Sequence, residues 1–506
     1  MLGGALACAM LAACGLLVLP ASHGDAAIYF NYFKRFFTLP FSFQPGTVAY
    51  GATSPLHTLL FAGVYQLAGD AWYLTAKLVN LALVGLGIRE IARALGRPHA
   101  LLTVAALALA FRTLWLAAAQ LFEVGLTFAL VAVFVARYGG GGRLAHVVAG
   151  LLPAVRPELV LITLVAGIDT AARRGVRALG WLLAGASVPA VYVLYMAASG
   201  AGWVPSSAAN RVLRAHEGEA QWWARLLETL EYLRAVDPAY LWALPATLVG
   251  LLLVRERRGA ALAFLPLLAV FVAVPTQAFA PRYLVPLIPA VLLVLPALFW
   301  QACARLSSRT LVPLAVVIGF GAWQLLGHHA RRAEYARYDL PRWLLTDLTQ
   351  QLNPRLSAPD GVLIYEIQSQ YGMEGRAISA DGTVGREVTA MLAGEEPAAD
   401  FLRRLRIRYV VTSNAFAYRP QFDDTLFEAL YAHDLDAPVG AELTRDGMRF
   451  RKLFTNPSFA DPARHFPVRR PGLNHGTTIR MYGDEHWFGY SILWNSVYEV
   501  VDDAPA

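Results

Sequence analysis

Up to residue 327 the chain is a succession of apolar runs, each closed by Arg, Gly or Pro. Crossing the ~30 Å hydrocarbon layer of a bilayer takes roughly 20 mainly apolar residues. Runs at 3–20, 72–88, 99–116, 121–137, 144–155, 159–172, 178–198, 239–254, 260–276, 283–301 and 310–327 reach or approach that length, which predicts a polytopic α-helical membrane protein with about eleven transmembrane helices. Composition points the same way. Of the 506 residues 57% are apolar and 16% charged, whereas an ordinary soluble domain is about a quarter charged, so a wholly soluble enzyme is excluded. Residues 1–327 carry 23 Lys and Arg against 12 Asp and Glu, and residues 328–506 carry 20 against 24. A basic membrane domain over 1–327 is therefore expected to precede a mildly acidic, water-soluble α/β domain over 328–506.

Orientation follows from the loops, because cytoplasmic connections collect Lys and Arg. Arg89, Arg93 and Arg97 follow the second run, Arg137 and Arg143 the fourth, and Arg173, Arg174 and Arg177 the sixth. Arg255, Arg257 and Arg258 follow the eighth, and Arg305 and Arg309 the tenth. Every even-numbered exit is basic, which puts the amino terminus in the cytoplasm and the C-terminal domain outside. The alternative for residues 3–20, a cleaved signal peptide, lacks a basic leading segment. Ser54 to Gly69 is too short to span and reads as a juxtamembrane helix within an outer loop over 22–71; a second outer loop covers 199–238. The short runs 144–155 and 159–172 are expected to meet at Arg156-Pro157-Glu158 below the outer surface, which lipid forbids unless that backbone lines a wet cavity. Cys8, Cys14 and Cys303 all lie in apolar stretches without metal-ligand spacing. Only three basic residues are Lys, and the richness in Ala, Gly and Arg suggests a GC-rich bacterial genome, hence a bacterial plasma membrane.

On this topology polar groups accumulate at one face. The first outer loop carries Asp25, Lys34, Arg35, Tyr50, Thr53 and His57; the outer ends of later spans add Glu123, Arg156, Glu158, Arg282 and Tyr283; loop 199–238 adds Arg211, and Arg112 falls inside the third span. Ionisable groups within a membrane segment are costly and mark functional cavities by default. Guanidinium groups mixed with carboxylates suit an anionic lipid head group, since Arg grips phosphate through a planar fork of donors. The competing readings are structural: each Arg snorkels to the headgroups or pairs with a Glu, Asp25 caps the helix that follows it, and His57 packs.

The stretches GDAAIYFNYFKRFF and FQPGTVAYGATSPLHTLL resemble the first outer loop of GT-C fold glycosyltransferases that use polyprenyl-phosphate sugars, with the nearest likeness to bacterial arabinofuranosyltransferase-like membrane proteins. Asp25, Ala26 and Ile28 match that family's Asp-Asp-Ala-x-Ile pattern. Phe43, Pro45, Gly46, Gly51, Thr53, Ser54, Pro55 and Leu56 match its second block. Further along, Leu121-Phe122-Glu123-Val124, the Arg156-Pro157-Glu158 corner and Pro281-Arg282-Tyr283-Leu284-Val285-Pro286 resemble later family features in the same order. Gly24, Asn31, Thr47 and His57 depart from the pattern, and Gly24 removes one of its paired acids.

The resemblance implies transfer of a sugar, arabinofuranose as the best guess, from a polyprenyl phosphate to a hydroxyl on an extracytoplasmic glycan or protein. A phosphate leaving group is already a stable anion, so electrostatic clamping matters more than acid catalysis. Lys34, Arg35, Arg156, Arg211, Arg282 and Tyr283 are the expected phosphate-side groups, and Tyr50, Thr53, His57, Glu123 and Glu158 line the substrate cavity. Asp25 is the expected base on the acceptor. Participation of a divalent cation is left open. The runner-up is a transporter or flippase for a lipid-linked sugar, and a third reading, prompted by Gly24, is a catalytically inactive glycolipid-binding relative. In the C-terminal part, 362–366 and 407–412 read as buried strands and 398–405 as a helix, with a β-rich stretch from about 441. No Gly-rich phosphate loop follows either strand and no nucleic-acid motif occurs.

Overall fold

Where an apolar run meets a residue that tolerates a left-handed backbone, the helix stops, and the chain uses this repeatedly. In the computed structural model the described residues are 25–44, 46–97, 99–119, 121–205, 226–227, 230–231, 233–234, 237–253, 258–273, 281–306, 311–330, 348–357, 360–364, 373, 375–380, 387–413, 425–455, 467–469, 477–481, 484–488 and 494–501. The predicted first span and Arg211 lie outside them. The chain divides into two compact units: Met1–Ala21 with Thr53–Leu194 and Ala220–Asp339, and Ser22–Ala52 with Tyr195–Glu219 and Leu340–Ala506. This differs from a simple cut at residue 327, because the 22–52 segment groups with the C-terminal residues.

The 22–52 segment contributes α1 (Asp25–Arg35) to the second unit. The first unit is helical: α2 (Pro55–Ala68), α3 (Trp72–Leu95), α4 (Ala100–Ala108), α5 (Arg112–Ala119), α6 (Val124–Arg137), α7 (Arg143–Leu151), α8 (Val160–Arg174), α9 (Gly180–Ala198, in this unit up to Leu194), α10 (Ala239–Leu253), α11 (Arg258–Ala273), α12 (Ile288–Leu306) and α13 (Leu311–Ala330). Among the described residues three stretches are by themselves long and apolar enough to cross a bilayer: Pro55–Leu95, Val176–Ala198 and Arg282–Cys303. The residues read as a juxtamembrane helix over 54–69 form the helix α2, which runs on through a tight turn at Gly69–Ala71 into α3, a stretch of 41 residues. Gly96, left-handed at φ 60°, ends α3 with its N–H on the Arg93 carbonyl.

One expected span is not straight. Residues 99–116 form two helices, α4 and α5, bent by 80° at residues 109–111. Leu109, Ala110 and Phe111 are buried there, so the backbone groups freed by the break need protein partners. The Trp115 indole N–H donates to the Ala108 carbonyl at 3.0 Å, closing α4. The Asp237 carboxylate accepts the Thr113 N–H at 2.9 Å, capping α5 from 124 residues away. Arg112, read as lying within the third span four residues from its outer end, instead opens α5 right after the break.

The second unit holds the hairpin β1 (Ser42–Gln44) and β2 (Thr47–Val48) and a six-stranded sheet. In chain order the sheet strands are β3 (Gly361–Ile364), β4 (Arg376–Ser379), β5 (Ile407–Ser413), β6 (Glu442–Arg445), β7 (Met448–Thr455) and, last in the chain, Trp494–Val501, here β11. Their spatial order is β4-β3-β5-β11-β7-β6, with β3 parallel to β4 and β5 and the remaining pairs antiparallel. β8 (Pro467–Arg469), β9 (Thr477–Met481) and β10 (Asp484–Phe488) form a separate antiparallel sheet. One face of the large sheet packs Leu363, Val410, Phe450 and Tyr498 against α14 (Ala398–Arg404) and α15 (Leu426–Asp436); the other packs Val362, Ile364, Val411 and Val497 with Leu348 and Leu352. The parallel half carries the helix read at 398–405 and the strand read at 407–412, and of the strand read at 362–366 the described residues end at Ile364.

Candidate functional site: a buried arginine between two carboxylates

In the first unit the site is assembled at two places where helices stop short. The first is the break between α5 and α6. Leu121 adopts a left-handed backbone, φ 62°, and the Leu121 and Phe122 amides return to the Ala118 and Ala117 carbonyls. Asn80 of α3 completes the turn: its side-chain amide donates to the Ala118 carbonyl at 2.8 Å and to the Phe122 carbonyl at 2.9 Å. A side chain on Gly125 has no room, since its first carbon would collide with the Asn80 backbone and amide. The chain therefore emerges with Phe122 and Glu123 in set positions, and Glu123 sits at the amino end of α6, where the helix dipole favours a carboxylate.

The second place is the corner between α7 and α8. Arg156 is extended, φ −152°, between the tight turns Leu152–Ala154 and Pro157–Leu159, and Pro157 prevents the helix from continuing through it. Its guanidinium is 4% exposed and holds two acids: NH1 donates to Glu123 Oε1 at 3.0 Å, and Nε and NH2 both reach Glu158 Oε1 at 2.6 Å. Glu123 is 10% exposed and Glu158 28%, so the cluster opens toward solvent on the Glu158 side. Tyr283 stacks on Arg156 at 4.5 Å. Arg282, beside it in the 3-10 segment Pro281–Leu287 that leads into α12, lies over the Phe122 ring at 4.4 Å and 5.4 Å from Tyr283.

Five of the sequence-predicted residues thus come together: Glu123, Arg156, Glu158, Arg282 and Tyr283. Glu123 and Glu158 pair with Arg156, the structural role weighed for them, and not with Arg112. Arg156 with its two acids carries a net −1, which Arg282 brings to neutral. Two further predicted residues of this unit, Thr53 and His57, behave differently. Thr53 is half-buried, whereas His57 is fully buried on the Phe61 ring at 4.4 Å, with the Leu121 backbone as neighbour. His57 therefore braces the α5–α6 turn from α2.

The other predicted residues belong to the second unit. Asp25 is the first residue of α1; its side chain falls outside the described atoms. Lys34 is exposed and Tyr50 buried, and burial pushes the Tyr50 phenol above its ordinary range. Arg35 donates to the Phe43 carbonyl at 2.6 Å and to Asn31 Oδ1 at 3.2 Å, and burial lowers its affinity for its proton. Tyr32 donates to the Ala49 carbonyl at 2.9 Å and accepts the Gly51 N–H at 3.0 Å. Arg35 and Tyr32 together pin the 41–51 segment to α1, so part of the first motif block serves to shape its own loop. Among the described residues no group of three or more His, Cys, Asp and Glu is arranged to hold a metal ion.

Asn80 escaped the sequence reading because one amide in an apolar run is a weak signal, although intramembrane polar groups merit suspicion. Replacing it with Leu leaves the Ala118 and Phe122 carbonyls without their donor. Each unmet buried group costs about 1–3 kcal/mol, so Asn80→Leu is expected to lower the melting temperature in detergent; an unchanged melting curve refutes the role given to the amide.

The crystal structure of ArnT from Cupriavidus metallidurans in the apo state has a similar fold, with a TM-score of 0.51 over 88% of this chain and 96% of that one, at 15% sequence identity. At that identity the likeness is one of fold alone, the GT-C fold in a polytopic helical membrane protein. No protein-family model matches the chain. No curated protein sequence matches it either.

Proposed function

We propose that the protein is a membrane glycosyltransferase that moves a sugar from a polyprenyl phosphate to a hydroxyl on an extracytoplasmic glycan or other acceptor. The observation that carries this is the buried Glu123–Arg156–Glu158 cluster flanked by Arg282 and Tyr283, on a fold shared with ArnT. Such an array provides fixed acceptors for sugar hydroxyls beside a guanidinium for phosphate. Arg156 is already neutralised by two acids, so its task is to orient them, and the phosphate falls to Arg282. The basic groups Lys34, Arg35 and Arg211 of the outer loops add to the field that draws in the anionic head group. Departure of the sugar leaves its pair of electrons on a phosphate oxygen, where Arg282 stabilises the charge without proton transfer. Asp25 takes the proton of the acceptor hydroxyl. Arabinofuranose is the sugar that the motif likeness favours, and the C-terminal domain is the acceptor platform.

Purified protein incubated with polyprenyl-phosphate sugars and a soluble acceptor is expected to give a glycosylated product by mass spectrometry. Lipid-linked sugar moved across vesicles without product makes the protein a transporter, and binding alone makes it a silent relative. Replacing Arg282 with Ala removes a charge-assisted contact of about 1.5–3 kcal/mol, so donor affinity is expected to fall roughly ten- to a hundred-fold. Unchanged donor binding in that variant removes Arg282 from the phosphate.

A further inference from the structure

Asp237 sits two residues before α10, at the end of the 199–238 loop and outside the span that begins at Ala239, yet it is fully buried. One carboxylate oxygen caps α5 through the Thr113 N–H. The other oxygen, the Tyr240 phenol oxygen and the Thr113 hydroxyl are all buried, and the carboxylate is also approached by the Thr113 hydroxyl and the Ala239 backbone amide. Tyr240 faces Asp237 from α10, and its ring packs against Phe111 at the α4–α5 break, 5.2 Å between centroids. Thr113 faces it from α5. Arg112 precedes Thr113, and no ion pair of Asp237 occurs among the described residues.

This geometry pulls in two directions. A carboxylate at a helix amino terminus is favoured by the dipole and the free N–H groups. Burial without a counter-ion penalises the same charge. The neutral acid keeps an oxygen for the Thr113 N–H and sheds the charge that burial penalises.

We propose that Asp237 is a positioning residue that anchors α5, and through the α5–α6 turn Phe122 and Glu123, with a grip that depends on its protonation. The second half rests on the functional reading above; the first does not. Burial raises the Asp237 carboxyl from 3.8 to about 7. The folded chain then holds this proton more tightly than the unfolded chain, so the stabilisation is complete below 3.8 and is lost as pH rises through about 7. Locally, opening of α5 becomes easier across that window and levels off above it.

Hydrogen exchange of the α5 amides in the full chain, corrected for intrinsic exchange, reads this without any substrate. One titrating proton changes the opening equilibrium about tenfold per pH unit, so protection of the peptide over 111–119 is expected to fall about a hundredfold between pH 5 and 7 and then level off. Asp237→Asn, which keeps an acceptor for the Thr113 N–H and does not titrate, is expected to abolish that dependence. A flat native profile, or an equal slope in the Asn variant, overturns the proposal. Should the Asn variant fail to insert, Asp237→Ser keeps a capping oxygen for α5 without a titrating group and is expected to give a flat profile; a slope equal to the native one overturns it equally. In the transfer assay kcat is expected to decline as pH rises through about 7 in the native chain and not in Asp237→Asn, and a shared profile breaks the link to Phe122 and Glu123. A native chain that transfers nothing counts against the functional reading, and the exchange result still decides Asp237.

Discussion

Replacing Arg156 with alanine is expected to be among the most damaging single changes available to this protein, in stability and in transfer alike. The guanidinium is 4% exposed and compensates two acids, Glu123 and Glu158, whose side chains are 10% and 28% exposed. Removing one partner of a buried ion pair strands the remaining charge and costs about 3–5 kcal/mol. The loss is to be read as an earlier unfolding transition in detergent. Arg156→Lys is expected to recover little, because one ammonium on a flexible stem does not reproduce a planar fork that serves two carboxylates under an aromatic ring. The decisive control is Arg156→Ala combined with Glu123→Gln and Glu158→Gln. Removing the stranded charges is expected to restore most of the stability while transfer stays lost. If the single alanine variant melts with the native protein, the pairing does not hold the corner between α7 and α8. If the triple variant transfers normally, the cluster is structural only.

The second large effect is expected in rate alone. Asp25 opens α1, a position where capping and catalysis make different demands. Asn is as good a helix cap as Asp, but it does not accept a proton from an acceptor hydroxyl. Asp25→Asn therefore separates the two roles. The variant is expected to insert and melt like the native protein and to lose about 10²- to 10⁴-fold in transfer at saturating donor, the usual contribution of a positioned general base. Full transfer by a normally folded Asn variant removes Asp25 from the chemistry, and a variant that melts early with its rate intact makes it a cap.

Much of the helical framework was legible before any coordinates, because apolar runs closed by Arg, Gly or Pro announce helices whatever their neighbours. The runs read over 121–137, 178–198 and 239–254 are the helices Val124–Arg137, Gly180–Ala198 and Ala239–Leu253. The run over 99–116 misled, since its apolar composition is the same whether the chain goes straight or turns through 80°. What permits the turn is a carboxylate and an indole, Asp237 from far along the chain and Trp115 from the next helix, that satisfy the broken backbone. Asp237 itself, placed just ahead of Ala239, meets the backbone of its own helix and caps a distant one as well.

The site divides in the same way. Residue types and order determined that acids and guanidinium groups gather at the ends of membrane helices, because charge is expelled from lipid wherever it has no partner. Only the tertiary structure decided which groups meet. Arg156 chose Glu123 and Glu158 over solvent, Arg282 settled on Phe122, and Arg35 went to its own loop. Pairing depends on distances of about 3 Å between segments far apart in the chain, set by helix breaks and close backbone approaches, and no local pattern of residues carries that information.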